Sequence, residues 1–489
     1  MKLKKLLQNI SNVVIKGTKE TDINGICTDS KKVYPGNIFF ALKGKEHDGA
    51  VYIYEAVSNG AVAVVTDLYD PFLKNTVQII TENSYEVLIA CVEAFYQSPS
   101  ANLNLIGITG TNGKTTTSFL IKHIIEKLNK KCGLIGTNEY HVGTSIYPSS
   151  FTTPPIDVTS KFLKEMCNSG CEFAVMETSS HGLSQRRCDS LNFDVAIYTN
   201  LTEEHLDYHN SMKEYAEAKK MLFRLLESSC KQRKMAIINR DCSWHKVMIA
   251  DLKVPYITYG IDSDVDVRAT DVKLNGKGCE FTLKYQQRLQ KFNTRLVGRF
   301  NIYNILAAVS YGIFIGISLS DLALFISDFP TVRGRMEKIK GPLSDIFIDF
   351  AHTPNALENC LRTLLEIKKG KIITVFGCGG NRDKEKRPMM ATIAEKYSDR
   401  VIITNDNPRN EDPQKIADEI IAGFKSKSSY DVILDRSQAI EHAIISSKEN
   451  DIVLIAGKGH EIKQIFAHTT KDFDDVKIVK DILKKGVCV

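Results

Sequence analysis

The stretch LIGITGTNGKTTTSFLIKHIIEKLNKK, Leu105 to Lys131, decides how the chain is read. It opens with an apolar run of strand length, closes with a helical segment, and joins the two by GTNGKTT. Backbone N–H groups at such a strand-to-helix turn cradle phosphates, because they converge on the positive end of the helix. In that setting Lys114 pairs with the β- and γ-phosphates of a nucleotide and Thr115 offers its hydroxyl to Mg²⁺. One position departs from the ordinary Walker pattern: Ile108 stands where that pattern has glycine.

Outward from this loop, apolar strands alternate with amphipathic helices. FAVMETSS and FDVAIYTNLT continue the block, which ends near DFPTVRGRMEKI, where Pro330 and Gly334 punctuate the chain. Such alternation predicts a mostly parallel sheet covered by helices on both faces. Before it, GNIFFALKG, YIYEAVSNG and AVAVVTD predict a smaller α/β unit, and SPSANLN reads as a linker. After it, IFIDFA, KIITVFG, RVIITND and DIVLIAG give a second doubly wound pattern, whose ligands belong in loops at the carboxyl ends of the strands. The fold expected is therefore α/β in three domains: a small N-terminal α/β domain (1–101), a central P-loop ATPase-like parallel-sheet domain (102–333) and a C-terminal Rossmann-like domain (334–489).

Composition sets bounds. With 489 residues, 43% of them hydrophobic, the chain has material for several cores. A net charge of +6 without a basic stripe gives no nucleic-acid footprint. The apolar run Ile305 to Ile317 is too short to span a bilayer, which takes roughly 20 residues, and reads as a buried helix. The 12 scattered cysteines, Cys167 and Cys171 among them, read as reduced thiols.

Several strand ends carry groups suited to phosphoryl transfer. Glu177 closes CEFAVME, and His205 with Asp207 follows FDVAIYTNLTEE. A carboxylate and an imidazole beside nucleotide phosphates can hold one or two Mg²⁺ ions, although each alone is equally a cap or a surface group. In KEYAEAKKMLFRLLES, Lys219 falls close to the apolar stripe of Tyr215, Ala218 and Leu222, where a snorkelling lysine is the ordinary reading. Asp349 ends a strand in DFAHTPNAL, with Pro354 at the position that opens a helix, and His352 lies between them. FGCGGNRDKEKRP lacks the third glycine of a dinucleotide fingerprint; Arg382 stands there and offers a carboxylate ligand instead. GKGHE is not HExxH, since Gln464 occupies the second histidine position.

TGTNGKTT, METSSHGL, TNLTEEHLDYH, AKKMLF, GRFNIYN, GRMEKI, DFAHTPNAL, GCGGNRDKEKRP, DNPR and GKGHE, in this order, resemble the Mur ligases over nearly the whole chain. The resemblance implies a bacterial cytoplasmic enzyme of peptidoglycan precursor synthesis, acting as a monomer on small molecules, without nucleic acid or membrane. Its implied reaction is the ATP-dependent addition of meso-2,6-diaminopimelate to UDP-N-acetylmuramoyl-L-alanyl-D-glutamate through an acyl phosphate, with Mg²⁺ as cofactor.

Position by position, the resemblance implies that Gly110, Thr111, Asn112, Gly113, Lys114, Thr115 and Thr116 contact ATP, joined by Asn301, Arg335, Asp349 and His352. Thr115, Glu177, His205 and Lys219 would serve the metal, with Lys219 carbamylated by CO₂ into an anionic ligand. Lys114, Lys219 and His205 form the implied catalytic set. Ser30, Lys45, Glu46, His47, Thr152, Thr153, Ser179, Gln185 and Arg187 would hold the UDP-muropeptide. Arg382, Asp406, Asn407, Pro408, Arg409, Gly457 and Glu461 would hold diaminopimelate. The arginine of DNPR has a physical rationale, because diaminopimelate carries a distal carboxylate that lysine lacks and a guanidinium binds it bidentately. Three other readings compete: a folylpolyglutamate synthetase-like ligase sharing the phosphate loop, a P-loop switch or transport ATPase without ligase chemistry, and a binding or structural protein built on a decayed ligase.

Overall fold

The computed structural model describes residues 1–44 and 48–485; Lys45, Glu46 and His47 lie outside the described residues. Strands and helices sort into three successive sheets; one apolar core is continuous between the first and second, and the third has its own. In the first, Val14–Lys16, Val77–Ile80, Ala63–Thr66, Asn37–Phe40 and Gly25–Cys27 lie side by side, parallel except for the first.

The second sheet has 11 strands. Its parallel centre runs Tyr256–Gly260, Met235–Asn239, Val195–Tyr198, Asn104–Thr109, Phe173–Glu177 and Cys132–Ile135. These strands are buried on both faces, which is why they read as continuous rather than alternating apolar runs. Lys114–Lys127 and Arg299–Phe314 cover one face, while Ile156–Asn168 and Met212–Ser228 cover the other. Antiparallel pairings extend both edges, the longest strands being Val267–Asn275, Gly278–Tyr285 and Arg288–Thr294. Arg299–Phe314 is the buried core helix expected for the apolar run, and no helix among the described residues is long and apolar enough to cross a membrane.

The third sheet orders Glu337–Lys340, Asp345–Asp349, Ile452–Ala456, Ile372–Phe376, Arg400–Ile403 and Tyr430–Val432, with only the first antiparallel. Thr353 caps Pro354–Ile367 through Ala356 N, and Asp412 caps Pro413–Ile421 through Gln414 N, so both prolines occupy first-turn positions where a missing N–H costs nothing. Val297, at the end of the second sheet's territory, is buried in the core under the third.

SPSANLN joins the helix Ser84–Tyr96 to the strand Asn104–Thr109 of the second sheet, but as an ordered connection. Gln97 and Ser98 take left-handed conformations, Pro99–Asn102 forms a short helix, and the buried Ser100 hydroxyl accepts a hydrogen bond from Asn192 N at 3.1 Å. Polar composition misleads there because the hydroxyl is used internally.

Candidate active site

The phosphate-type loop leaves the central strand Asn104–Thr109 and enters the helix Lys114–Lys127. Its glycines are obligatory at two positions. Gly110 (φ +146°) has Thr199 Oγ1 1.9 Å from where a Cβ would be, and Gly113 (φ +88°) has Asn304 Oδ1 at 2.3 Å. Ile108 lies in the strand, ahead of both turns, so the missing Walker glycine leaves the loop's bend intact. Asn200 Oδ1 accepts from Asn112 N at 2.9 Å and Thr199 Oγ1 donates to Asn112 O at 2.7 Å, fixing the loop from the neighbouring strand end.

Two lysines meet on one oxygen. Lys114 Nζ donates to Gly110 O at 2.9 Å and to Thr111 O at 2.8 Å, and Lys219 Nζ reaches the same Gly110 O at 2.9 Å. Lys219 is only 1% exposed, so it does not snorkel; its Nζ lies 4.4 Å from the centroid of the Tyr215 ring. Burial first, and then Lys114, hold the Lys219 amine well below the usual lysine range, against the pull of Glu204. Burial lowers Lys114 as well. The Lys219 amine is thus biased towards its neutral, nucleophilic form.

Glu204 was not singled out from the sequence. Burial alone would raise its carboxyl, but His205, Lys114, His352 and Lys219 outweigh that and hold it low. It is the carboxylate on which these basic side chains converge. His205 itself, in a left-handed conformation, has its ring 4.7 Å from that of His181, and its imidazole is pushed down to about 4, chiefly by desolvation.

Glu177 is completely buried. It accepts from Thr115 Oγ1 at 3.0 Å, Thr137 N at 3.1 Å and Thr137 Oγ1 at 2.9 Å. A carboxylate and a threonine hydroxyl converging beside a phosphate-type loop make a hard-oxygen donor pair of the kind Mg²⁺ takes, the remaining ligands being water and phosphate. No group of three His, Cys, Asp or Glu converges as a ready-made metal cluster among the described residues.

A cleft of about 610 Å³ opens between the second and third sheets, lined on one side by Thr111–Thr116 and Glu204 and on the other by Arg335, Asp349, His352 and Asn355. Arg335 Nη2 donates to Thr115 Oγ1 at 3.2 Å, and Asn355 Oδ1 accepts from Asn112 Nδ2 at 3.1 Å and Thr202 Oγ1 at 3.2 Å. Asp349 accepts from Met336 N at 2.7 Å; burial raises its carboxyl, opposed by Arg335. Asn301 is buried below the cleft, its amide donating to Val297 O at 2.8 Å, and Asn304 in the same helix is the asparagine that reaches the lining.

Thr152, Thr153, Ser179, Gln185 and Arg187 come together in a second cluster. Thr153 Oγ1 is 3.1 Å from Ser179 Oγ and donates to Glu177 O at 3.0 Å; Arg187 donates to Thr153 O at 2.8 Å and to Gln185 Oε1 at 2.5 Å. Thr152 Oγ1, 3.0 Å from Thr137 Oγ1, links this cluster to Glu177 and hence to Thr115. Ser30 stands apart: its hydroxyl donates to Glu55 at 2.5 Å, and it is Thr28 that meets Asp157 across the sheets at 3.3 Å.

In the third sheet, the loops after Ile372–Phe376 and Arg400–Ile403 are stitched together by Gly380 N to Asn407 O at 2.9 Å. Arg409, at φ +53°, donates through Nη1 to Gly380 O at 2.8 Å. A Cβ on Gly379 would lie 2.9 Å from Arg409 Nη1 and 3.7 Å from Arg382 Cγ, so the two arginines flank one glycine. Desolvation, and next Arg382, lower the Arg409 guanidinium, with Asp406 and Glu461 opposing. Asp406 Oδ2 would be 2.6 Å from a Cβ on Gly457, and Asn407 Nδ2 donates to Glu461 at 2.8 Å. Pro408 O closes on Gly380, 1.8 Å from where its Cβ would be. Paired cations on one side and carboxylates on the other suit a ligand bearing both ammonium and carboxylate groups. Glu411 was also missed: it accepts from Arg387 at 2.9 and 3.1 Å and from Asn381 N at 2.5 Å, clamping both loops.

Three family models match the chain: "Mur ligase family, catalytic domain" over residues 22–94, "Mur ligase middle domain" over 108–312, and "Mur ligase, glutamate ligase domain" over 334–459. A protein of Caldanaerobacter subterraneus subsp. tengcongensis named UDP-N-acetylmuramoyl-L-alanyl-D-glutamate--2,6-diaminopimelate ligase is 40% identical over 488 residues, 99% of this chain and 100% of its own. One of the same name from Chlamydia pneumoniae is 41% identical over 490 residues, covering 100% of both. A solved structure titled as the same ligase superposes with a TM-score of 0.68 at 31% identity, over 99% of each chain.

Proposed function

The chain belongs to the Mur ligase family, and we propose that it joins meso-2,6-diaminopimelate to UDP-N-acetylmuramoyl-L-alanyl-D-glutamate at the expense of ATP. The observation that carries the choice of amino acid is the pair Arg382 and Arg409 flanking Gly379, with Asp406 and Glu461 charged oppositely to them. Lysine would leave that guanidinium pair, Arg409 half-buried and Arg382 exposed, without its carboxylate, and so forfeits an ion pair that diaminopimelate makes.

A carboxylate is a poor electrophile, so a carboxylate oxygen of the acceptor's D-glutamate first attacks the γ-phosphorus and ADP leaves. The amine of diaminopimelate then attacks the acyl carbon, phosphate departs with the C–O bonding pair, and the amine's proton is released. In this reading Thr152, Thr153, Ser179, Gln185 and Arg187 hold the muropeptide, and the Thr152–Thr137–Glu177–Thr115 chain fixes their position relative to the phosphate loop. Lys114 leaves its own loop's carbonyls to meet phosphate oxygens, and Arg335 brings a second cation from the third sheet. Asp349, His352 and Asn304 border the nucleotide's outer part.

Thr115 and Glu177 would hold Mg²⁺, with His205 and Lys219 completing the family's metal set. When bound, Mg²⁺ neutralises charge on the transferring phosphoryl group. Lys219 in its neutral form adds to CO₂, losing one proton to give an anionic carbamate, which places a negative charge beside the Lys114 ammonium that shares Gly110 O. The three sheets correspond to a division of labour over 1–101, 102–333 and 334–489 for muropeptide, ATP and amino acid, in a monomeric enzyme of the bacterial cytoplasm.

The test is phosphate release with ATP, Mg²⁺ and UDP-N-acetylmuramoyl-L-alanyl-D-glutamate, comparing meso-diaminopimelate with lysine. Release with diaminopimelate well above that with lysine is expected. Equal rates, or a preference for lysine, would refute the specificity, and no release with either would refute the activity.

A further inference from the structure

Lys458, in the GKGHE segment between Gly457 and Glu461, is completely buried and has no part in the contacts assigned above. Its ammonium donates to Asn407 Oδ1 at 3.1 Å, Glu461 Oε2 at 2.9 Å and Lys463 O at 2.7 Å, which uses all three of its hydrogens. Asn407 Oδ1 also accepts from Ile465 N at 3.0 Å, while its Nδ2 donates to the same Glu461 Oε2 at 2.8 Å. With two donors on Asn407 Oδ1, the amide can face only one way. Glu461 Oε2 is likewise taken twice, and Oε1 receives no hydrogen bond from the described residues.

We propose that Lys458 is a positioning residue that orients Glu461 and Asn407 and, through its charge, tunes the pocket to an amino acid with two carboxylates. The proposal rests on the diaminopimelate reading above. Around the pocket, Arg382, Arg409 and Lys458 stand against Asp406 and Glu461, one cation in excess. Diaminopimelate with both carboxylates and both ammonium groups charged is neutral, whereas lysine carries a net positive charge. Removing the Lys458 charge cancels the excess, weakens the hold on the second carboxylate and lowers the penalty against a cationic ligand. It also frees the Glu461 carboxylate to turn away.

The experiment uses the full chain with ATP and the muropeptide acceptor, measuring kcat/KM for meso-diaminopimelate and for lysine. In Lys458→Met the diaminopimelate value should fall by about 30-fold or more. The value for lysine should change by less than about threefold, collapsing the ratio between the two, with KM for ATP unchanged. Equal losses for both amino acids, or a diaminopimelate value within about threefold of wild type, would overturn the proposal. If wild type itself fails to prefer diaminopimelate, the underlying specificity reading fails instead. Should Lys458→Met not fold, Lys458→Met/Glu461→Gln removes both charges of the pair and leaves none uncompensated. That double variant should discriminate less well than Glu461→Gln alone, because the Lys458 charge acts on the ligand as well as through the glutamate. Equal discrimination by the two variants would overturn the proposal.

Discussion

Arg409→Ala isolates the amino-acid site from the nucleotide site. The substitution removes one of two guanidiniums flanking Gly379 and two hydrogen bonds, Nη1 to Gly380 O at 2.8 Å and to Asn407 O at 3.4 Å. It leaves the backbone strain unchanged, since alanine is no easier to hold at φ +53° than arginine. Stripping one partner from a desolvated charge pair costs about 2–5 kcal/mol. Here the lower half of that range applies, because Arg382 remains to meet the carboxylate and is relieved of repulsion from Arg409. A loss of about 3 kcal/mol corresponds to roughly 150-fold in kcat/KM for diaminopimelate. Coupled ADP formation, with diaminopimelate and then ATP as the varied substrate, reads this directly. KM for ATP should stay within about twofold, since Arg409 lines no part of the phosphate cleft. A selective rise in KM for ATP, or a proportional loss of lysine use, would refute the assignment.

Two further substitutions test the buried charges. Lys219→Met should abolish ligation yet leave the fold at least as stable near neutral pH, as thermal melts in CO₂-free buffer would show. The unfolded chain keeps Lys219 protonated up to its ordinary value near 10.5, whereas the folded chain releases that proton far earlier. Wild-type stability should therefore gain on Lys219→Met as pH rises through the alkaline range towards 10.5; a gap independent of pH would contradict the neutral amine. Glu411→Gln should raise KM for diaminopimelate and lower Tm, because both loops lose their shared clamp. Arg387 first, then the Asn381 N–H, hold this carboxyl down at about 2 against partial burial. The Tm gap between Glu411→Gln and wild type should be full above about pH 4.5 and close as pH falls towards 2, and a gap that persists there would refute the clamp.

The strand-to-helix turn at Gly110–Lys114 was legible because backbone geometry, glycine placement and apolar flanks all act within a few residues. So were the helix starts at Pro354 and Pro413, where the cap and the proline are adjacent. Lys219 was placed near the stripe correctly, but pattern alone favoured a snorkelling side chain; its burial depends on Gly110 O, more than a hundred residues away, to receive its hydrogen bond. Glu204, Thr137, Asn304 and Asn355 carry no local signal of their own. They matter because folding brings them to Lys114, Glu177, Gly113 and Asn112. The same holds at SPSANLN, where Ser100 finds its partner at Asn192.

Val297 and Asn355 together define a lever. Val297 is sunk in the third sheet's core, and polar bonds between the two units include Arg335 to Thr115, Asn138 Nδ2 to Arg333 O at 3.2 Å, Arg333 to Asp474 at 2.5 Å, Lys338 Nζ to Gly276 O at 2.8 Å, and the two bonds gathered by Asn355. Each such bond contributes about 1 kcal/mol. A rotation that swings the third sheet away from the phosphate loop must release the bonds of Arg335 and Asn355, while Val297 and Phe300 stay packed on the third core, so Arg335 and Asn355 tie the opening of the cleft to the loop that would hold phosphate.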